Sequence, residues 1–160
     1  MIELVGDFWQ ESRDHKYDAL VCTTNLIVRK DGCLVMGAGI AKGFRDTFNN
    51  IDRRWGERLL NGQHQDGFMI TSAYFSYNGN RLLHLVAFPT KENWKQDAKI
   101  ELIERSALTL SQSARILGLR AVLMTRPGCA NGHLNWPDVK PILDKYLDGR
   151  FYVIEREKYV

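Results

Sequence analysis

Two periods of hydrophobic and polar positions alternate along this chain. Short apolar runs of strand length are separated by stretches whose apolar residues recur every three to four positions. Ile2 to Val5 opens as a short strand. Tyr17 to Thr23 holds Ala19, Leu20, Val21 and Cys22 in an unbroken apolar run, the pattern of a strand covered on both faces. A polar loop at Thr24-Asn25 and a turn at Lys30-Asp31-Gly32 follow. From Gly39 to Phe48, Ile40, Ala41, Phe44 and Phe48 stand at helical spacing. A second helix is predicted over Arg53 to Leu60, ending at Asn61-Gly62. Phe68 to Tyr77 and Arg81 to Ala87 read as two strands joined by a hairpin turn at Asn78-Gly79-Asn80. Asp97 to Leu117 is the longest helix, with Ile100, Ile103, Ala107, Leu110, Ala114 and Leu117 on one face and Gly118 as its stop. Arg120 to Thr125 is a further buried strand. Asn135 stands where it can cap a helix over Trp136 to Leu147, with Pro137 and Asp138 in its first turn. Phe151 to Glu155 closes as a strand. Strands alternating with helices predict an α/β fold, a three-layer α/β/α sandwich on a mixed central sheet, with the hairpin as its antiparallel part.

Composition narrows the class. At 160 residues the chain has the length of one domain, so a single domain over residues 1–160 is expected. Hydrophobic residues at 44% and charged residues at 26% are globular values and exclude disorder. The net charge of +3 is too small to imply a nucleic-acid partner but leaves room for a local anion site. Cys22, Cys33 and Cys129 are odd in number and form no CxxC pair, which reads as reduced thiols in a cytoplasmic compartment. Met1 to Asp7 has neither a basic nor an apolar leader pattern, so no signal peptide is expected, and no apolar run approaches a membrane span. His15, His64, His84 and His133 show no ligand spacing, so neither a metal nor a cofactor is expected.

In α/β sheets, ligands collect at the carboxyl ends of strands. Three loops fall there. One holds Thr24, Asn25 and Gly37-Ala38-Gly39. Another reads Phe88-Pro89-Thr90-Lys91. The third reads Arg126-Pro127-Gly128-Cys129-Ala130-Asn131-Gly132-His133. Two of them carry glycines and lead toward helices. Such loops either make tight turns or let backbone amides approach an anion, with the helix dipole in support. Cys129 and His133 offer a thiol and a base, but they lie four residues apart with no orienting acid in view. Trp9, Trp55, Trp94 and Trp136 read as core or edge packing, although Trp94 and Tyr74 could flank a ligand. Arg53, Arg54 and Arg58 read as a solvated helix face.

These segments, taken in order, resemble the macro domains. Tyr17-Asp18-Ala19-Leu20-Val21-Cys22-Thr23-Thr24-Asn25 is similar to their first signature. Val35-Met36-Gly37-Ala38-Gly39-Ile40-Ala41 and Arg126-Pro127-Gly128-Cys129-Ala130-Asn131-Gly132 are similar to their two phosphate loops. Phe88-Pro89-Thr90-Lys91-Glu92-Asn93-Trp94 resembles the lysine-containing branch that includes the DNA ADP-ribosyl glycohydrolase antitoxins and terminal ADP-ribose glycohydrolase. The resemblance implies a partner that is ADP-ribose or an ADP-ribosylated molecule, nucleic acid among the possible carriers, and no membrane. It implies that Asp18 accepts a hydrogen bond from the adenine amine, with Ala19 also among the ligand-binding residues. Asn25 would hydrogen-bond the distal ribose through its amide, with Thr24 also among the ligand-binding residues. The loops of Gly37, Ala38, Gly39 and Ile40 and of Gly128, Cys129, Ala130 and Gly132 would wrap the pyrophosphate with backbone amides, and Asn131 would either contact the distal ribose or shape its loop. The catalytic residues it implies are Lys91 and Asn25, with Lys91 attacking or stabilising the anomeric carbon. The activity it implies is hydrolysis of an ADP-ribose linkage at the distal ribose. Some lysine-dependent relatives place an aspartate in the second glycine loop, where this chain has Ala130 and Asn131. A reader without turnover therefore stays open, as does a phosphatase acting on ADP-ribose 1″-phosphate.

Overall fold

A computed structural model describes residues 1–14, 16–62, 69–75 and 81–157. Its strands are β1 (Ile2–Val5), β2 (Ala19–Thr24), β3 (Met69–Phe75), β4 (Arg81–Pro89), β5 (Val122–Thr125) and β6 (Phe151–Glu155). Its helices are α1 (Phe8–Glu11), α2 (Gly39–Thr47), α3 (Ile51–Leu60), α4 (Ile100–Leu117) and α5 (Trp136–Tyr146). The strands form one sheet in the order β1-β6-β5-β2-β4-β3. The first five of these run parallel to one another. The antiparallel part is confined to β3, which pairs with β4 at one edge. The turn predicted at Asn78-Gly79-Asn80 lies outside the described residues, as do His15 and His64.

Alternate residues of each central strand enter different apolar clusters, which is why Ala19 to Cys22 reads as a continuous run. Ala19, Val21, Val86, Phe88, Val122 and Met124 pack with Ile103, Ala107, Leu110 and Ala114 of α4 and with Val139 and Leu143 of α5. Leu20, Cys22, Leu85, Ala87 and Leu123 pack with Phe8 of α1, Phe44 of α2, and Ile51 and Trp55 of α3. Helices therefore cover both faces of the sheet. Gly118 ends α4 at φ 66°, the left-handed conformation expected of that stop. All three cysteines are free. Among the described residues no helix is long and apolar enough to cross a membrane.

Several boundaries move. Tyr17 and Asp18 precede β2, and Thr24 belongs to it. Phe88 and Pro89 lie in β4, because that strand pairs with β2 out to Thr24↔Pro89. α3 begins earlier, at Ile51, and α5 ends one residue sooner, at Tyr146. Asn135 occupies the cap position of α5, but its side chain makes no capping hydrogen bond. α4 begins at Ile100 rather than Asp97, because the amide of Lys99 is donated to Thr90 O at 2.8 Å and closes a loop there. α1 has no counterpart in the sequence prediction.

Candidate functional site

Five parallel strands place all their carboxyl ends on one edge of the sheet. The segments that leave that edge are the start of α1 after β1, the 25–38 loop after β2, the 90–99 loop after β4, the 126–135 loop after β5 and residues 156–157 after β6.

Asn25 is buried at the end of β2. Its amide nitrogen donates to Val35 O at 3.0 Å, and its amide oxygen accepts from Ile27 N at 3.0 Å. The side chain thus braces the two ends of the first loop. An amide nitrogen has two hydrogens, so one donor remains for a ligand. Thr24 is buried beside it, and its carbonyl accepts from Thr90 N at 3.0 Å. The first glycine loop ends at Ala38, which caps α2 without a side-chain hydrogen bond, and the first turn of α2 holds no acidic residue. The opening amides of α2 have no intrahelical partner and no competing carboxylate, which suits an anion. Gly37, Ala38 and Gly39 are exposed and Ile40 is half-buried.

The second glycine loop meets the first. A side chain on Gly39, which has φ 57°, would come within 3.0 Å of Asn131 Nδ2. The loop is folded tightly on itself, with Leu134 N donating to Gly128 O at 2.9 Å. A side chain at Gly132 would stand 2.5 Å from Gly128 O, so glycine is required there for space. Gly128, at φ 75°, faces Ile103 and Leu134 closely, while Ala130 and Asn131 point outward. Lys91, half-buried beyond the end of β4, donates from Nζ to Asn131 O at 3.0 Å. That contact brings the lysine to the place where the two glycine loops meet.

Two predicted residues do not join this group. Asp18 precedes β2 and so lies at the amino edge, about 20 Å from Asn25 along the strand. Its carboxylate accepts from Arg120 N at 2.8 Å and Ala121 N at 3.2 Å, tying β2 to the entry of β5. Ala19 is fully buried in the core. A carboxylate missed by the sequence reading does sit on the carboxyl edge. Asp7 follows β1, is exposed, and caps α1 through Oδ1, which accepts from Gln10 N at 2.8 Å. The signal was present, since Gly6-Asp7 directly follows a predicted strand.

Cys129 and His133 do not form a thiol–base pair. Cys129 Sγ turns to Pro127 O at 3.5 Å, and burial pushes its thiol up to about 11. His133 Nδ1 meets Asp97 Oδ1 at 2.8 Å. Arg126 anchors the start of the second loop. Its guanidinium lies over the Trp136 ring at 4.6 Å and pairs with Glu155 at 2.9 Å.

No protein-family model matches the chain. It is 28% identical over 124 residues to a DNA ADP-ribosyl glycohydrolase of Mycobacterium tuberculosis, covering 77% of this chain and 35% of that protein. It is 28% identical over 134 residues to the enzyme of the same name from Thermus aquaticus, covering 82% of this chain and 34% of that one. This chain thus spans about a third of the curated relatives it matches. The macrodomain of Mycobacterium tuberculosis DarG superposes with a TM-score of 0.76 at 25% identity, covering 96% of this chain and 97% of that one. Thermosipho africanus DarTG in complex with ADP-ribose superposes at 0.80 and 19% identity, covering all of this chain and 43% of that one. In fold and in sequence, this chain is similar to the macrodomains of the DarG DNA ADP-ribosyl glycohydrolases.

Proposed function

We propose that this chain is one macro domain, a three-layer α/β/α sandwich, that binds ADP-ribose along the carboxyl edge of its sheet. It hydrolyses the bond between the distal ribose and a carrier. The observation that carries the reading is the Lys91 Nζ contact to Asn131 O at 3.0 Å, which places one amine where the two glycine loops meet. The names of the relatives and the ADP-ribose complex of a structural neighbour support it. The free cysteines suit a cytoplasmic setting.

The ligand has an anionic centre and two polar ends, and the edge offers a match for each. The open amides of α2 and of the second glycine loop hold the pyrophosphate. Asn25 directs its remaining amide hydrogen at the distal ribose while bracing the first loop. Asp7 takes the purine amine in place of Asp18. It lies on the binding edge, and its Oδ2 is left over from capping, whereas both oxygens of Asp18 are held by backbone amides. Lys91 acts at the anomeric carbon, as a nucleophile when its amine is free or as a charge beside the departing group when protonated. Overall, water adds across the bond. The hydroxyl goes to the ribose carbon and the proton to the carrier.

The test pairs binding with turnover. In calorimetry, Lys91→Ala retains ADP-ribose affinity. In a hydrolysis assay on an ADP-ribosylated substrate its rate falls on the order of a hundredfold or more. Equal rates for parent and variant would remove Lys91 from the chemistry. Binding by a parent protein that hydrolyses no linkage would leave a reader, the alternative favoured by the absence of a carboxylate between Arg126 and His133.

A further inference from the structure

The 90–99 connection is a closed loop, with Lys99 N donating to Thr90 O at 2.8 Å. It is fastened on both sides. Leu26 N, next to Asn25, donates to Glu92 O at 3.1 Å. Ala98 N donates to Gly132 O at 3.0 Å, and Asp97 holds His133 at 2.8 Å. Within the loop Asn93 makes the turn, accepting from Lys95 N through Oδ1 and from Gln96 N through its carbonyl, each at 3.0 Å. Trp94 stands at this turn, three residues beyond Lys91, with 52% of its surface in solvent.

Among the residues whose burial is described, Trp94 is the one exposed tryptophan, tyrosine or phenylalanine, the others being buried or half-buried. Lys95 Nζ lies 5.2 Å from its ring centre. Lys99 is paired with Glu92, and Asp97 with His133, while Lys95 meets no carboxylate among the described residues. The loop therefore presents, three and four residues beyond Lys91, an indole and a positive charge that pairs with no carboxylate among the described residues. A departing carrier must lie beyond the anomeric carbon, on the Lys91 side of the site. A peptide carboxylate would gain little from a flat ring. A base gains stacking, and its flanking phosphate gains a cation.

We propose that Trp94 is the platform on which a nucleobase of an ADP-ribosylated nucleic acid stacks, with Lys95 supplying charge to the adjoining backbone. The proposal rests on the function proposed above and names the residues that read its carrier.

The experiment is done in a Lys91→Ala background, so that the substrate is held uncleaved. Affinities for an ADP-ribosylated single-stranded oligodeoxynucleotide, an ADP-ribosylated acidic peptide and free ADP-ribose are measured with and without Trp94→Ala or Trp94→Phe. Trp94→Ala is expected to weaken oligonucleotide binding on the order of tenfold or more, Trp94→Phe much less, and neither to change ADP-ribose binding. Unchanged oligonucleotide affinity in Trp94→Ala, or an equal loss with the peptide, would overturn the proposal. The underlying reading fails separately, if the protein with Trp94 intact binds no ADP-ribose. Thermal melting of each variant checks the fold, which a half-exposed side chain supports little.

Discussion

At Asp18 a carboxylate joins two elements far apart in the chain. Its oxygens receive the amides of Arg120 and Ala121, which open the approach to β5. Removing the acceptor leaves both amides without a protein partner. Asp18→Ala should lower unfolding free energy by about 1–3 kcal/mol in urea denaturation and leave ADP-ribose affinity at the parental value in calorimetry. A loss of affinity without a loss of stability would return Asp18 to the ligand. The sequence reading put Asp18 at the site because an aspartate opening a strand matched a family signature. The direction of a parallel strand argues the other way, since the residue before it lies on the amino edge. The position of Lys91 and the glycines on the carboxyl edge was legible because each follows a strand. The brace made by Asn25 was not, since it depends on the path of the loop from Val35 back to Ile27.

Among the helices, the longer ones were legible and the short one was not. α4 repeats its apolar face over five turns, so periodicity finds it. α1 has four residues, too few to show a period, and only its cap at Asp7 and its buried Phe8 mark it. The loop from Asn25 to Ala38 shows no period either, yet it is well anchored. Val28 bridges Leu34, and Leu34 N donates to Asp52 O at 2.9 Å. α3 comes so close that a side chain on Gly56 would stand 2.0 Å from Gly32 O and 2.9 Å from Leu34 N. Those contacts are backbone and cannot swing aside. Gly56→Ala should therefore destabilise the fold by about 1–3 kcal/mol or more, measured by thermal or urea unfolding. Because it displaces the first glycine loop, it should also weaken ADP-ribose binding. A variant with parental stability would show that α3 and the loop separate freely.

Across the whole molecule, strand order sets the reach of the site. From β1 to β4 there are four strand spacings, about 19 Å, and Asp7 and Lys91 stand near the two ends of that span. In the proposed binding mode ADP-ribose would lie along this span, with its purine toward β1 and its distal ribose toward β4. Asp7→Ser keeps a capping side chain for α1 but removes the carboxylate. It should weaken ADP and ADP-ribose alike, about tenfold each by calorimetry, because the lost contact belongs to the half that both share. A loss for ADP-ribose alone would reverse the ligand's direction. The helices on both faces were legible from the chain, but the order of the strands was not. Sequence neighbours such as β1 and β2 end up three places apart in the sheet.

The bond between Lys91 and Asn131 ends on a peptide oxygen. An oxygen of the main chain has no codon of its own, and every residue placed at position 131 would present one. A mutational scan of this protein would therefore flag Lys91 and pass over its partner, however much the lysine depends on it. Chemical synthesis could reach it, by replacing the 131–132 amide with an ester and so weakening that carbonyl as an acceptor. Evolution meets the same limit. Exchanging the side chain at position 131 cannot remove the lysine's anchor, but a substitution that reshapes the loop, such as one at Gly132, can move it.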